Sequence, residues 1–245
     1  MQIGSWFIPE YTLRVLGGLL PGVAWVWYTG RQQSLPHRQI ALLLWVTLIG
    51  AVLGGRLGYV AQNTAYFAQQ PGDAASLWRV GGLDGPGAWV GGLASALLCA
   101  WRMHASARQI LEHLVPLALW LSAGAWWACS DAGCAWGREV TGAVEPWQRW
   151  LIRELPDLYH TFAPRYAVQL LAAGGALGLA GMLALWKGHN LAIIALYLAG
   201  ISALTLLRAD PVFLVGKLRL DTLLYGALAL GVGLLALPGF QRIRR

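Results

Sequence analysis

Seven apolar stretches, each near the length that crosses a bilayer, constrain this chain more than any other feature. A hydrocarbon core about 30 Å thick takes roughly 20 mostly apolar residues of helix. The stretches cover residues 11–29, 39–62, 88–103, 109–129, 167–186, 190–207 and 220–238, the third being the shortest. Charge is scarce: 12% of the 245 residues are charged, against about 25% in a typical soluble domain. That scarcity excludes a disordered chain, and the isolated positives exclude a nucleic-acid binder built on Lys/Arg stripes. Three cysteines are too few for a disulfide scaffold. The expected fold is all-α: a polytopic membrane protein of about seven transmembrane helices, forming a single membrane domain over 1–245. No soluble domain is expected beside it, and no repeat of fixed period is visible, although an inverted structural repeat would escape this test.

The formal charge of +7 is informative through its placement. One set of short loops holds Arg31, Arg38, Arg102, Arg108, Lys187, Arg242, Arg244 and Arg245, with Glu112 as the one nearby acid. The other set holds nearly all the remaining acids. By the positive-inside rule the first set is cytoplasmic, so the N-terminus lies outside and the C-terminus inside. The start lacks a basic region and a small-residue cleavage site, so the first stretch reads as a retained helix. The localisation expected is a plasma membrane, with multiple passes. Tryptophans fall at both interfaces: Trp6, Trp78, Trp89, Trp136, Trp147 and Trp150 outside, Trp27, Trp101 and Trp186 inside. A Trp-lined pocket for a planar or cationic ligand is the competing reading.

The outer loop 130–165 alone has soluble-like composition. Within it, residues 145–160 read EPWQRWLIRELPDLYH. Pro146 suits a first helical turn, and Trp147, Trp150, Leu151, Glu154 and Leu155 fall at helical spacing. With Arg149 and Arg153 elsewhere on the helix, this predicts an interfacial amphipathic helix. A short helix packed on the protein itself is the alternative.

Ionisable groups within a bilayer cost on the order of 3 kcal/mol each, which makes them site candidates. Arg56 stands 17 residues into the second stretch, roughly 26 Å along the helix and near the outer leaflet. Arg208 ends the sixth stretch on the same side, and Arg79, Arg138, Glu139, Asp84, Arg219 and Asp221 lie in outer loops. Arg56, Arg79, Arg138 and Arg208 are therefore candidates for a lipid phosphate, which guanidinium binds in a bidentate manner. The simpler reading is snorkelling to headgroups. Gly54 and Gly58 have the spacing that lets helix backbones approach. Residues 81–87, GGLDGPG, followed by Gly91 and Gly92, cannot form an unbroken helix, so a re-entrant element or a tight external loop precedes the third stretch.

Several of these residues carry a resemblance. Gly54-Gly55-Arg56-Leu57-Gly58-Tyr59-Val60, the Leu77-Trp78-Arg79-Val80 stretch, the Gly-rich turn with Gly91-Gly92, Trp136-Gly137-Arg138, Pro164 with Gln169-Leu170-Leu171, and Leu206-Leu207-Arg208 resemble, in order and spacing, the prolipoprotein diacylglyceryl transferase family. The resemblance implies a bacterial inner-membrane protein that moves a diacylglyceryl group from phosphatidylglycerol to the lipobox cysteine thiol of a lipoprotein precursor. Such chemistry needs a lipid-facing cavity, positive charge on the phosphate and a base for the thiol.

The chain departs from the family pattern at its polar centre. Val90-Gly91-Gly92 stands where the family has His-Gly-Gly. Trp126 and Cys129 replace an Arg and an Asn, Cys134 a Glu, and Ile201 and Thr205 an Arg and a Glu of the sixth span. Three hypotheses follow. The first is a diverged relative with altered or lost catalysis that binds a phospholipid, a lipoprotein precursor or another membrane subunit. The second is an active transferase with a rearranged site, in which Arg56, Arg79, Arg138 and Arg208 hold phosphate and His160 or Glu139 is the base. The third is thiol chemistry through Cys134 or Cys129, which otherwise pair as a disulfide or pack as small hydrophobes. His37, His104, His113 and His189 fall on the cytoplasmic side. No residue set has metal-ligand or nucleotide-binding spacing, so no metal or other cofactor is expected.

Overall fold

The computed structural model describes residues 2–3, 6–7, 10–33, 35–77, 79–142, 144–186 and 188–237. The side chain of Trp6, together with Trp78, Lys187, Arg242, Arg244 and Arg245, lies outside the described residues. Two short strands, β1 (Gln2–Ile3) and β2 (Trp6–Phe7), precede α1 (Glu10–Gln32). Then come α2 (His37–Gln62), the short α3 (Thr64–Gln69), α4 (Gly85–Arg102) and α5 (Ala107–Ala132). A hairpin of β3 (Ile152–Pro156) and β4 (Phe162–Tyr166) leads into α6 (Val168–Leu185), α7 (Asn190–Thr205) and α8 (Leu220–Ala236). The seven apolar stretches of the sequence each coincide with one long helix, to within a few residues at most ends. Two of these, α2 and α6, are long and apolar enough to cross a membrane by length and composition, and α7 and α8 are shorter apolar helices.

The chain divides into two compact units. One holds residues 27–114 and 212–216, the other 1–26, 115–211 and 217–245. In the first unit α2 and α4 pack backbone to backbone. A Cβ on Gly54 would meet Gly91 Cα at 2.7 Å, one on Gly91 would meet Gly54 Cα at 2.8 Å, and one on Gly58 would meet the Asp84 side chain at 2.6 Å. Gly50, not singled out by the sequence, belongs to the same seam, 2.8 Å from the Gly91 carbonyl by the same construction. Gly92 does not: its nearest neighbour would be Ala51 Cβ at 3.5 Å. The expected interruption before α4 is a loop. Gly81 and Gly82 take φ of +63° and +85°, and Asp84 then caps α4 by accepting from the Gly87 N–H at 2.6 Å.

In the second unit α1 and α5 meet through Gly18 and Gly124, where a Cβ on Gly18 would stand 2.9 Å from Gly124 Cα. Arg14 ion-pairs with Asp131 and lies over the Trp127 ring at 5.1 Å. Packing of α6, α7 and α8 buries Val168, Ala172, Ala176, Leu198 and Ile201. Small side chains on α6 admit close neighbours.

The outer arm differs from the sequence expectation. Residues 148–150 form one 3-10 turn, and Ile152–Pro156 is a strand. It pairs antiparallel with β4, Ile152 opposite Tyr166 and Pro156 opposite Phe162. The helical spacing of Trp147, Trp150, Leu151, Glu154 and Leu155 is thus not used as a helix. Alternation on β4 decides instead: Ala163 and Arg165 are buried while Phe162 and Pro164 face out, and Leu155 of β3 is buried opposite Ala163.

Candidate functional site

A dense cluster of part-buried charge in the unit containing 115–211 lies where α7 ends and α8 begins. Arg208 Nε and Nη2 donate to both oxygens of Asp210, at 2.8 and 2.5 Å, and Nη1 lies 2.8 Å from Asp221. Arg219 donates to both Asp221 oxygens at 3.1 Å, to Asp210 Oδ1 at 3.3 Å and to the Asp210 carbonyl at 2.9 Å. Two arginines and two aspartates therefore close a neutral ring. Such a ring is tolerated in a low-dielectric setting because every charge has a bonded partner. Asp221, in the first turn of α8, also accepts from the Thr222 N–H at 2.9 Å. The signal was present in the sequence as a repeated Arg-x-Asp triplet, Arg208-Ala209-Asp210 and Arg219-Leu220-Asp221.

Above this ring Arg208 lies 6.0 Å from the Trp126 ring centroid. Tyr197, 3% exposed, lies beside Ser122 and Trp126. The Thr205 and Thr222 hydroxyls bond at 2.7 Å, and Ser202 donates to the Thr222 carbonyl at 2.8 Å. Trp126 and Thr205 thus bring an aromatic ring and a hydroxyl to the end of α7. Ile201 is 2% exposed.

Arg138 belongs to the same unit and approaches Arg208 through the backbone, since Gly137 pairs with Arg208. Its own N–H donates to the Leu207 carbonyl and its Nη2 to the Leu206 carbonyl at 2.9 Å. That is its one side-chain bond among the described residues, and Arg138 is exposed. It retains donors for an anion.

The other candidates are differently placed. Arg56 is 6% exposed, and five backbone carbonyls take its guanidinium. Nε donates to Ala74 at 2.8 Å, Nη1 to Gly81 and to Gly82 at 3.1 Å, and Nη2 to Asp73 at 2.6 Å and Ser76 at 3.5 Å. The group also stacks over Tyr59 and Phe67 at 5.6 and 5.2 Å. All five N–H donors are spent, so Arg56 pins the loop before α4 in place of a lipid phosphate. Arg79 is exposed and stands 3.9 Å from Asp73. Val90 is 47% exposed on α4.

Neither candidate base is poised for proton transfer. His160 sits in the hairpin turn with φ of +57°, its N–H donating to the Asp157 carbonyl at 3.0 Å. The turn stands one strand length, about 17 Å, from the base that joins Arg138. Glu139 faces Arg165 at 3.9 Å. Arg165 is held more closely by Asp157, at 3.1 Å. Bonds from the Thr161 and Tyr159 N–H groups, with the Arg165 charge, keep the Asp157 carboxyl below its ordinary pKa. Cys134 forms a disulfide with Cys129, Cα to Cα 5.0 Å. It therefore carries no thiol and is removed as a nucleophile. Gln169, fully buried, donates to the Cys134 carbonyl at 2.9 Å. Sequence reasoning quoted Gln169 only as part of a motif and missed Tyr197 and Asp210.

A model of the family described as prolipoprotein diacylglyceryl transferase matches residues 1–237. The chain is similar to proteins named phosphatidylglycerol–prolipoprotein diacylglyceryl transferase. That of Rhodospirillum rubrum is 38% identical over 130 residues, 49% of this chain and 46% of the relative. That of Rhodopseudomonas palustris is 31% identical over 186 residues, 71% and 61% of the two chains. That of Burkholderia multivorans is 26% identical over 182 residues, 65% and 60%. The chain thus spans about half to three fifths of the length of the curated relatives it matches. With the match to nearly the whole sequence and the glycine-seamed helices in place, this chain belongs to the prolipoprotein diacylglyceryl transferase family.

Proposed function

We propose that this chain is a seven-span protein of the bacterial plasma membrane, N-terminus outside and C-terminus cytoplasmic, that binds phospholipid in a lipid-facing cavity and has lost diacylglyceryl transfer. One observation carries the reading: Arg56 and Arg208, the two arginine candidates that are not exposed, are already bonded. Arg56 is filled by five carbonyls, and Arg208 is neutralised by two aspartates. Activation of a thiol needs a base within hydrogen-bond reach. Asp210 and Asp221 are locked in ion pairs, His160 stands at a hairpin tip and Cys134 is oxidised. Arg138, with a single side-chain bond, and Arg79, 3.9 Å from Asp73, keep donors to offer and support anion binding without chemistry. Phosphatidylglycerol is the ligand the relatives' names suggest, with a lipoprotein precursor or a membrane subunit as the protein partner.

The test uses the full chain in detergent with phosphatidylglycerol and a peptide bearing a lipobox cysteine. The expected result is lipid binding with no lipidated peptide. Arg138→Ala should weaken that binding about tenfold, the weight of one charge-assisted hydrogen bond of about 1.5 kcal/mol. Peptide lipidation that disappears in Arg138→Ala would overturn the proposal in favour of an active transferase.

A further inference from the structure

The outer arm displays its large apolar side chains to solvent. Trp147 and Trp150 are 64% and 78% exposed, and Leu158, Tyr159 and Phe162 are 58%, 81% and 62% exposed. The first pair stands at the base of the β3–β4 hairpin and the other three at its turn. The turn is ordered: the Asp157 carboxylate accepts from the Tyr159 and Thr161 N–H groups at 2.8 and 3.0 Å, and Arg165 braces it from below. The aromatic tip is therefore a fixed display. Arg149 and Arg153, both exposed, are the cations of the segment. Arg153 is turned back on the backbone through the Arg149 and Ile152 carbonyls, while Arg149 has no side-chain partner among the described residues.

Chain continuity says what this display meets. Only Ala167 separates β4 from α6, and its N–H is bonded to the Leu151 carbonyl at 2.7 Å. α6 is one of the two helices apolar and long enough to cross a membrane. The hairpin base is thus tied to the outer end of a spanning helix, at the level where Trp and Tyr concentrate. Exposed aromatic side chains at both base and turn match a headgroup layer along the whole hairpin, and the exposed Arg149 and Arg153 offset the exposed Glu145 and Glu154. We infer that the β3–β4 hairpin lies along the outer membrane surface and seats Trp150, Leu158, Tyr159 and Phe162 in the headgroup layer. The inference rests on α6 spanning the membrane as proposed above, and its partner is the lipid surface itself. A hairpin serves where an amphipathic helix was expected because its turn offers three adjacent apolar side chains.

The full chain is reconstituted in phosphatidylethanolamine–phosphatidylglycerol vesicles with Cys99→Ser, then labelled with an environment-sensitive fluorophore at Tyr159→Cys, Leu158→Cys, Thr141→Cys or Leu177→Cys. Thr141 is an exposed loop position, and Leu177 is an exposed position inside α6. The labels at 158 and 159 should be quenched by nitroxide lipid and several-fold less by aqueous iodide than the label at 141. Iodide access at both equal to that at 141, with 177 still shielded, overturns the hairpin placement and leaves the spanning helix standing. Loss of shielding at 177 overturns both. Shielding at 158 and 159 that appears only when a lipobox peptide is added also overturns it, and assigns the surface to a peptide.

Discussion

Gly54 and Gly92 lie on the same pair of packed helices and make opposite predictions. At Gly54 a methyl group would enter the α4 backbone, 2.7 Å from Gly91 Cα. Gly54→Ala should cost roughly 1–3 kcal/mol by overpacking, read as a lower thermal unfolding midpoint in micelles. At Gly92 the nearest atom would stand at 3.5 Å, and Gly92→Ala should leave the midpoint unchanged or slightly raised. The small-residue spacing that points to the seam is visible in the sequence, but which glycines actually face the partner depends on where the helices cross. Arg56 shows the reverse limit. Its isolation in an apolar stretch marks it as special, whereas its partners are backbone carbonyls, which carry no sequence signature. Arg56→Lys retains the charge but offers three donors without the planar fork. It should expose residues 70–82 to limited proteolysis, as Arg56→Ala should.

The elements diverge from expectation where pairing is long-range. The spacing of Trp147, Trp150, Leu151, Glu154 and Leu155 suits a helix, and only the strand ten residues further on, which buries Leu155 against Ala163, decides otherwise. The pH response of this hairpin follows from Asp157. Its carboxyl is held below the ordinary carboxylate pKa, so its contribution is complete above that ordinary value and fades as pH falls through the depressed one. The protection of residues 155–163 against hydrogen exchange, taken relative to the unfolded chain at each pH, should stay constant through neutral pH and fall only in acid below about pH 4. At the α7–α8 junction, Asp221→Asn leaves the ring with one unbalanced positive charge while Asp210 still bonds both arginines, and should cost about 1–3 kcal/mol, whereas the paired Arg208→Met/Asp221→Leu variant should cost less than the sum of the singles. A double-mutant cycle on thermal unfolding checks this. Reduction of Cys129–Cys134 removes a small covalent loop and should cost about 2 kcal/mol in chain-entropy terms, leaving lipid binding intact if the bridge is only a staple.

Across the whole molecule, the hydropathy of seven stretches suffices to foresee seven long helices, since each needs only local apolar content. The carbonyl cage escapes that reading because backbone carbonyls have no sequence signature, and the ion ring because its two Arg-x-Asp triplets pair with each other only across the turn between α7 and α8. The proposed topology predicts that reporter fusions at residue 104 and at the C-terminus report a cytoplasmic location and one at residue 142 an external location. The cage around Arg56 has a further consequence for biogenesis. Its carbonyls come from residues 17 to 26 positions after the arginine, so a nascent chain that has just completed α2 carries a guanidinium with nothing to receive it. Integration of that helix must then wait for, or be reversed before, synthesis of the loop that follows. A chain truncated after Gln70 and extended by a neutral linker long enough to clear the ribosome should partition poorly into the bilayer, and one truncated after Arg102 with the same linker should insert fully.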